Sequence, residues 1–174
     1  MPQSSAEGKA WTKDRIEALA REVGPLRVLD IGPGVGTYAK LLAGPAVAHI
    51  TGLEIWEPYV HTYRLRDYYD EIVVGDARTT DLPEVDVIVM GDVAEHMVEP
   101  EAVELWRRAG EAARHAVYLS IPIVHYPQGH IEGNPHEHHV DEDWNHERVL
   151  AAFDGIGATW TGTEVGVYER RTDR

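Results

Sequence analysis

Residues 28–42 read VLDIGPGVGTYAKLL, and the rest of the chain is arranged around them. Apolar residues run into Asp30, and glycine then falls at every second position: Gly32, Gly34 and Gly36. The spacing next turns helical, with Tyr38, Leu41 and Leu42 on one face. This is a buried strand, a tight turn and the start of a helix. Glycine gives the turn access to positive φ and lets a ligand press against bare backbone. The helix start just beyond offers unpaired N–H groups to a polar or anionic ligand. The spacing is G-x-G-x-G, and Thr37 stands where the dinucleotide fingerprint places its last glycine.

Outward from the turn, strands and helices alternate. A helix over residues 12–23, with Thr12 as its cap, precedes strand 26–31, and residues 1–11 read as a polar, mobile arm. After the glycine turn come strand AVAHITGLEI and a helix opened by Trp56-Glu57-Pro58. Strand YYDEIVVGDA and the apolar run VDVIVMGDV follow, the latter suited to a strand buried on both faces. The periodic EAVELWRRAGEAAR predicts a helix and AVYLSIPIV a fifth strand. Asn145 caps a further helix, and ATWTGTEVGVYERR reads as a hairpin turning near Thr163 and Glu164. The prediction is one α/β domain over residues 1–174, a three-layer, Rossmann-like, doubly wound sheet. It is mostly parallel, with an antiparallel C-terminal hairpin strand.

The totals exclude whole classes of function. Sixteen basic residues face 30 acidic ones, for a net charge of −14, which lacks the basic footprint of a nucleic-acid binder. There is no cysteine, hence no disulfide, thiolate metal site or cysteine nucleophile. No stretch reaches membrane-spanning length and the N-terminus carries no apolar leader, so the expected location is cytoplasmic.

Ligands of such sheets bind at the strand carboxyl ends, where strand order reverses. Acids stand at four of those ends: Asp30, Glu54, Asp76 and Asp92. Taken with the glycine turn, they form a pattern. VLDIGPGVGTYAKLL resembles motif I of the class I S-adenosylmethionine (SAM) dependent methyltransferases, (D/E)-x-G-x-G-x-G. The remaining motifs fall in the family's order. Glu54 is similar to the acid that binds the ribose hydroxyls, Asp76-Ala77 to the pair that meets adenine, and VDVIVMGDVAEHM to the strand 4 motif with its Glu95-His96 pair.

The resemblance implies SAM as cofactor, leaving S-adenosylhomocysteine (SAH) as product. The cofactor-binding set it implies is Asp30, Gly32, Gly34, Gly36, Glu54, Ile55, Trp56, Asp76, Ala77, Gly91 and Asp92. A carboxylate suits a ribose diol, since each hydroxyl donates to one oxygen. Asp30 is the expected partner of the methionine ammonium, and Trp56 of the adenine face. Methyl transfer needs mainly alignment, and sometimes a base. His96 and His125, past strands 4 and 5, are the candidate catalytic bases.

Residues 125–144 have no periodicity and are rich in Pro, Gly and His, which marks a functional loop. Six of the ten histidines lie in or beside it: His125, His130, His136, His138, His139 and His146. His136, Glu137, His138 and His139 offer nitrogen and oxygen ligands to a divalent metal. A substrate lid is the preferred reading, with Tyr126, Gln128, Asn134, Glu137 and Trp144 contacting the acceptor and no metal ligand assigned. The expected partner is a small polar molecule, sugar-like or a natural product, methylated on oxygen in preference to nitrogen. Strand 4 ends Met90-Gly91-Asp92-Val93 rather than in N-P-P-Y, a further argument against a nucleic-acid substrate. The oligomeric state is open, a homodimer included. The competing readings are a SAM-binding or metal-sensing module without transferase activity and, third, an NAD-dependent dehydrogenase.

Overall fold

The computed structural model describes residues 5–172. Seven strands form one sheet in the order β3-β2-β1-β4-β5-β7-β6. They are β1 (Leu26–Ile31), β2 (Val47–Glu54), β3 (Glu71–Val74), β4 (Val85–Gly91), β5 (Ala113–Pro122), β6 (Ala158–Thr161) and β7 (Val165–Arg171). The first five run parallel, and β7 lies antiparallel between β5 and β6. The chain winds outward from β1 through β2 to β3, then crosses to β4 on the other side of β1. That reversal leaves a crevice at the carboxyl ends of β1 and β4.

Five helices cover the sheet: α1 (Lys9–Val23), α2 (Thr37–Leu41), α3 (Glu57–Thr62), α4 (Glu99–Ala112) and α5 (His146–Ala152). Alternation along the central strands explains the three layers, because successive side chains leave opposite faces. In β4, Ile88 and Met90 pack with Leu105 and Trp106 of α4 and Val149 of α5. Val87 and Val89 pack on the other face with Ile16 and Leu19 of α1, Tyr38 of α2 and Val60 of α3. Strands buried on both faces read as continuous apolar runs, which is how β4 and β5 appear in sequence.

Two features differ from the sequence reading at the N-terminus. The helix begins at Lys9, not after Thr12; its cap position is Gly8, and the Thr12 hydroxyl donates back to the Gly8 carbonyl at 3.2 Å. Of the arm expected over residues 1–11, residues 9–11 belong to α1 and Glu7 is docked on the hairpin turn. The Glu7 carboxylate accepts backbone N–H groups of Thr163, Glu164 and Val165 at 3.1, 2.9 and 3.0 Å. Residues 1–4 of that arm lie outside the described residues. Elsewhere Asn145 caps α5 as expected, its side-chain oxygen accepting from Arg148 N at 3.0 Å.

Candidate active site

A cavity of about 470 Å³ opens across the carboxyl ends of β1, β2, β3 and β4. Its base is the glycine turn. Gly32, Gly34 and Gly36 all take positive φ (73, 52 and 78°), so the turn has the geometry its spacing implies. At Gly34 nothing lies within 4 Å of where a Cβ would stand, and the backbone itself faces open space. Gly91, at the end of β4, is glycine for a different reason. A Cβ there would meet the Tyr38 ring at 2.3 Å.

Glu54 ends β2 inside the cavity wall, 3 % exposed. One carboxylate oxygen accepts Trp56 N at 2.8 Å and the other accepts Gly34 N at 3.4 Å. Burial pushes its pKa up to about 7, against the pull of those two N–H groups. A buried carboxylate with spare acceptor capacity, beside bare backbone, is suited to receive two hydroxyl donors. Asp76, at the end of β3, is held by Arg78 in a bidentate pair whose shortest contact is 2.7 Å. The Arg78 guanidinium keeps the Asp76 pKa low. Asp92 follows β4 with φ at 56°, its side chain accepting from Ser120 Oγ at 2.8 Å and from Lys9 Nζ at 3.2 Å.

Past Asp92, a single 3-10 turn (Ala94–His96) sets Glu95 and His96 into the cavity. His139 reaches the same place from the long segment 125–144, and the two imidazoles meet edge-on with centroids 4.8 Å apart. His96 Nδ1 lies 3.1 Å from the His138 carbonyl and His139 Nδ1 lies 2.7 Å from the Tyr126 carbonyl. A carbonyl only accepts, so each Nδ1 carries the proton and each Nε2 presents a lone pair. Burial drives the His96 pKa down to about 4, aided by its neighbour His139, and burial lowers His139 as well. Both rings are neutral at neutral pH.

Most of the residues singled out by sequence meet in this cavity. Gly32, Gly34, Glu54, Ile55, Asp76, Ala77, Gly91, Asp92 and His96 line it, as do Tyr126, Gln128, Asn134 and Glu137. Five do not. Asp30 is fully enclosed, accepting a 2.5 Å hydrogen bond from Tyr69 Oη, and does not reach the cavity. Gly36 caps α2. Trp56 serves Glu54 through its backbone N–H, while its ring packs on His136 at 6.0 Å. His125 points to solvent, 63 % exposed and paired with Asp143 at 2.8 Å. Trp144 is a core residue, 2 % exposed, packed on Phe153 and under the Arg148 guanidinium.

Sequence reasoning left out His139 as a member of the site, Ser5, Ala6, Glu164 and Val165 as parts of its wall, and Lys9 as the partner that holds Asp92 from outside the cavity. Lys9 had no local signal, because the helix was read as starting later. In sequence His139 reads as a loop histidine and as one of four candidate metal ligands with His136, Glu137 and His138, and nothing in its spacing ties it to His96.

The comparisons follow this geometry. A family model for the methyltransferase domain matches residues 29–115, half of the chain. None of the curated proteins matches the sequence. Among solved structures, the N-terminal domain of EvdMO1, determined in the presence of SAH and D-fucose, is 18% identical with a TM-score of 0.64, covering 97% of this chain and 84% of that one. Magnesium protoporphyrin IX methyltransferase from Synechocystis PCC 6803 with bound SAH is 21% identical, TM-score 0.65, covering 94% and 83%. The 1,6-didemethyltoxoflavin-N1-methyltransferase of Burkholderia thailandensis is 16% identical, TM-score 0.64, covering 93% and 80%. At these identities the likeness is one of fold. Together with the family model, it places the chain: it belongs to the methyltransferase-domain family of class I SAM-dependent methyltransferases.

Proposed function

We propose that this protein transfers the methyl group of SAM to an oxygen of a small polar acceptor. The observation that carries the reading is Glu54, a buried carboxylate at the end of β2 whose two oxygens are only partly used and which faces the cavity beside Gly34. It takes the ribose hydroxyls. The bare Gly34 backbone accommodates the methionine portion, and Asp76 and Ala77, at the β3 end, stand at the adenine. Asp30, enclosed and bonded to Tyr69, does not touch the cofactor.

The acceptor enters from the side formed by segment 125–144, whose Tyr126, Gln128, Asn134 and Glu137 line the cavity. Neutral Nε2 atoms of His96 and His139 favour an acceptor that must give up a proton, which a hydroxyl does and a free amine need not. The reaction breaks the S–CH₃ bond, leaves the electron pair on sulfur, forms an O–CH₃ bond and releases the hydroxyl proton. The neighbours act on varied molecules: one was determined with a sugar present, one methylates a porphyrin and one a nitrogen. A sugar-like polyol is the class that fits the polar lining here.

The experiment is a screen of monosaccharides, glycosides and phenols with deuterated-methyl SAM, read by mass spectrometry. One or more hydroxyl acceptors gaining a labelled methyl is the expected result. Label appearing only on amine acceptors removes the oxygen assignment, and SAH release with no acceptor in a broad screen removes the substrate class.

A further inference from the structure

Glu95, His96 and His139 each offer one ligand atom, and these atoms lie within 4.8 Å of one another. A divalent ion with bonds of roughly 2 Å spaces its donors by roughly 3–4 Å, so small side-chain rotations close the set on one ion. The two imidazoles are already oriented as metal ligands are. Each donates its Nδ1–H to a backbone carbonyl, His138 for one and Tyr126 for the other, and turns Nε2 free.

The second observation is independent of the histidines. Glu95 is 1 % exposed, and its Oε2 has no hydrogen-bond partner among the described residues. Buried carboxylates are paired, bonded or bound to metal, because an unmatched one is costly. No cation among the described residues fills that role. Lys9, the buried cation nearby, is bonded to Asp92 and Tyr38. Asp92 is engaged by Lys9 and Ser120 and is not counted as a donor.

We propose that Glu95, His96 and His139 bind a divalent first-row transition ion through one carboxylate oxygen and two Nε2 atoms. Two imidazoles and one carboxylate suit Zn²⁺, Fe²⁺, Co²⁺ or Mn²⁺ better than the all-oxygen ions Mg²⁺ and Ca²⁺. All three residues line the cavity, so the remaining coordination positions face the acceptor. With both Nε2 atoms on the ion, the imidazoles no longer serve as bases; the ion takes the acceptor oxygen and lowers the pKa of that hydroxyl instead, which narrows the substrate class to molecules with a hydroxyl beside a second oxygen donor. That narrowing rests on the methyl-transfer reading; the metal binding does not. It also joins the long segment to the sheet edge, since His139 belongs to the first and Glu95-His96 to the second.

The test uses full-length protein stripped with a chelator and titrated with Co²⁺, read by visible absorption, with SAH titrated separately by calorimetry. The expected result is one Co²⁺ per chain, weakened at least ten-fold in both Glu95→Gln and His139→Ala, with SAH affinity kept. SAH binding shows that each variant is folded, and His139→Ala, in the long segment outside the sheet and helices, decides if Glu95→Gln does not fold. No stoichiometric Co²⁺ binding by the unsubstituted protein overturns the proposal. So does unchanged Co²⁺ affinity in His139→Ala. Co²⁺ binding without SAH binding supports the metal site and overturns the methyl-transfer reading instead.

Discussion

The rings of His96 and His139, one just past β4 and the other in the long segment 125–144, meet edge-on with centroids 4.8 Å apart. Their contact is reinforced by backbone bonds, since Val140 N and Asp141 N both donate to the Glu95 carbonyl, at 2.8 and 3.1 Å. The segment is stitched to itself as well, with Gln128 Nε2 donating to the Glu137 carbonyl at 2.7 Å and Gln128 O accepting from His139 N at 3.0 Å. A segment bonded in this way holds its side chains at defined positions over the cavity.

Cofactor affinity should depend on pH through Glu54. Its pKa is pushed up to about 7 by burial. Ribose hydroxyls donate to the ionised form, so binding SAH opposes protonation. Affinity therefore falls as pH drops through this range and levels off above it. Calorimetry at two pH values either side of neutrality should show SAH binding weaker by roughly ten-fold at one pH unit below the midpoint. In Glu54→Gln the pH response should be flat, and a steep response there would assign the titration to another group.

The same group acts on folding with a separate sign. A raised carboxylate binds its proton more tightly when folded than when unfolded, so its contribution is present at low pH. That contribution is lost as pH rises from the ordinary carboxylate range through about 7. Glu54→Gln mimics the protonated form and should gain stability relative to the parent as pH rises from about 5 to about 7. Thermal melts of both proteins, without ligand, measure that difference; a gap that narrows with pH would contradict it.

Two glycines of the site should respond differently to alanine. At Gly91 the added Cβ meets the buried Tyr38 ring, and overpacking of this kind costs ~1–3 kcal/mol. At Gly34 there is space, and the left-handed backbone costs ~1–2 kcal/mol. The Gly34 variant should nonetheless lose SAH affinity, because its Cβ occupies the ligand's approach. Melting curves and SAH titrations separate the two effects.

Trp144→Ala should destabilise by ~3–5 kcal/mol, as expected for an aromatic removed from a packed core beside Phe153. Its effect on activity should follow the loss of folded protein. A Trp144→Ala protein that melts normally but has a raised acceptor KM would return this residue to the substrate site.

Lys9→Met should also be costly. Lys9 and Asp92 form a pair 3.2 Å apart with side chains only 7% and 16% exposed, and removing one partner of a buried pair costs ~3–5 kcal/mol. Adding Asp92→Asn should recover part of the loss, which a double-mutant cycle of denaturation midpoints measures.

What could be read from sequence was what depends on neighbours along the chain. Apolar runs placed the strands, helical spacing placed the helices, and the glycine spacing placed the ligand turn. What failed depended on distant partners. Asp30 looks like a ligand at a strand end, yet Tyr69, 39 positions on, closes over it. Trp144 in a polar loop looks like a cavity wall, but Arg148 and Phe153 draw it into the core. Thr12 resembles a helix cap because Gly8, which holds the position, makes no side-chain bond. The pairing of His96 with His139 has no local trace at all.

The proposed role of Glu54 is to hold the ribose of SAM. It is tested most directly by titrating SAH into the parent protein and Glu54→Ala by calorimetry at pH 8. The parent should bind one SAH, and the variant should lose ~1–3 kcal/mol, roughly five- to 150-fold in affinity, with its fold intact. Equal SAH affinity in the two proteins, or no binding by the parent, would contradict it.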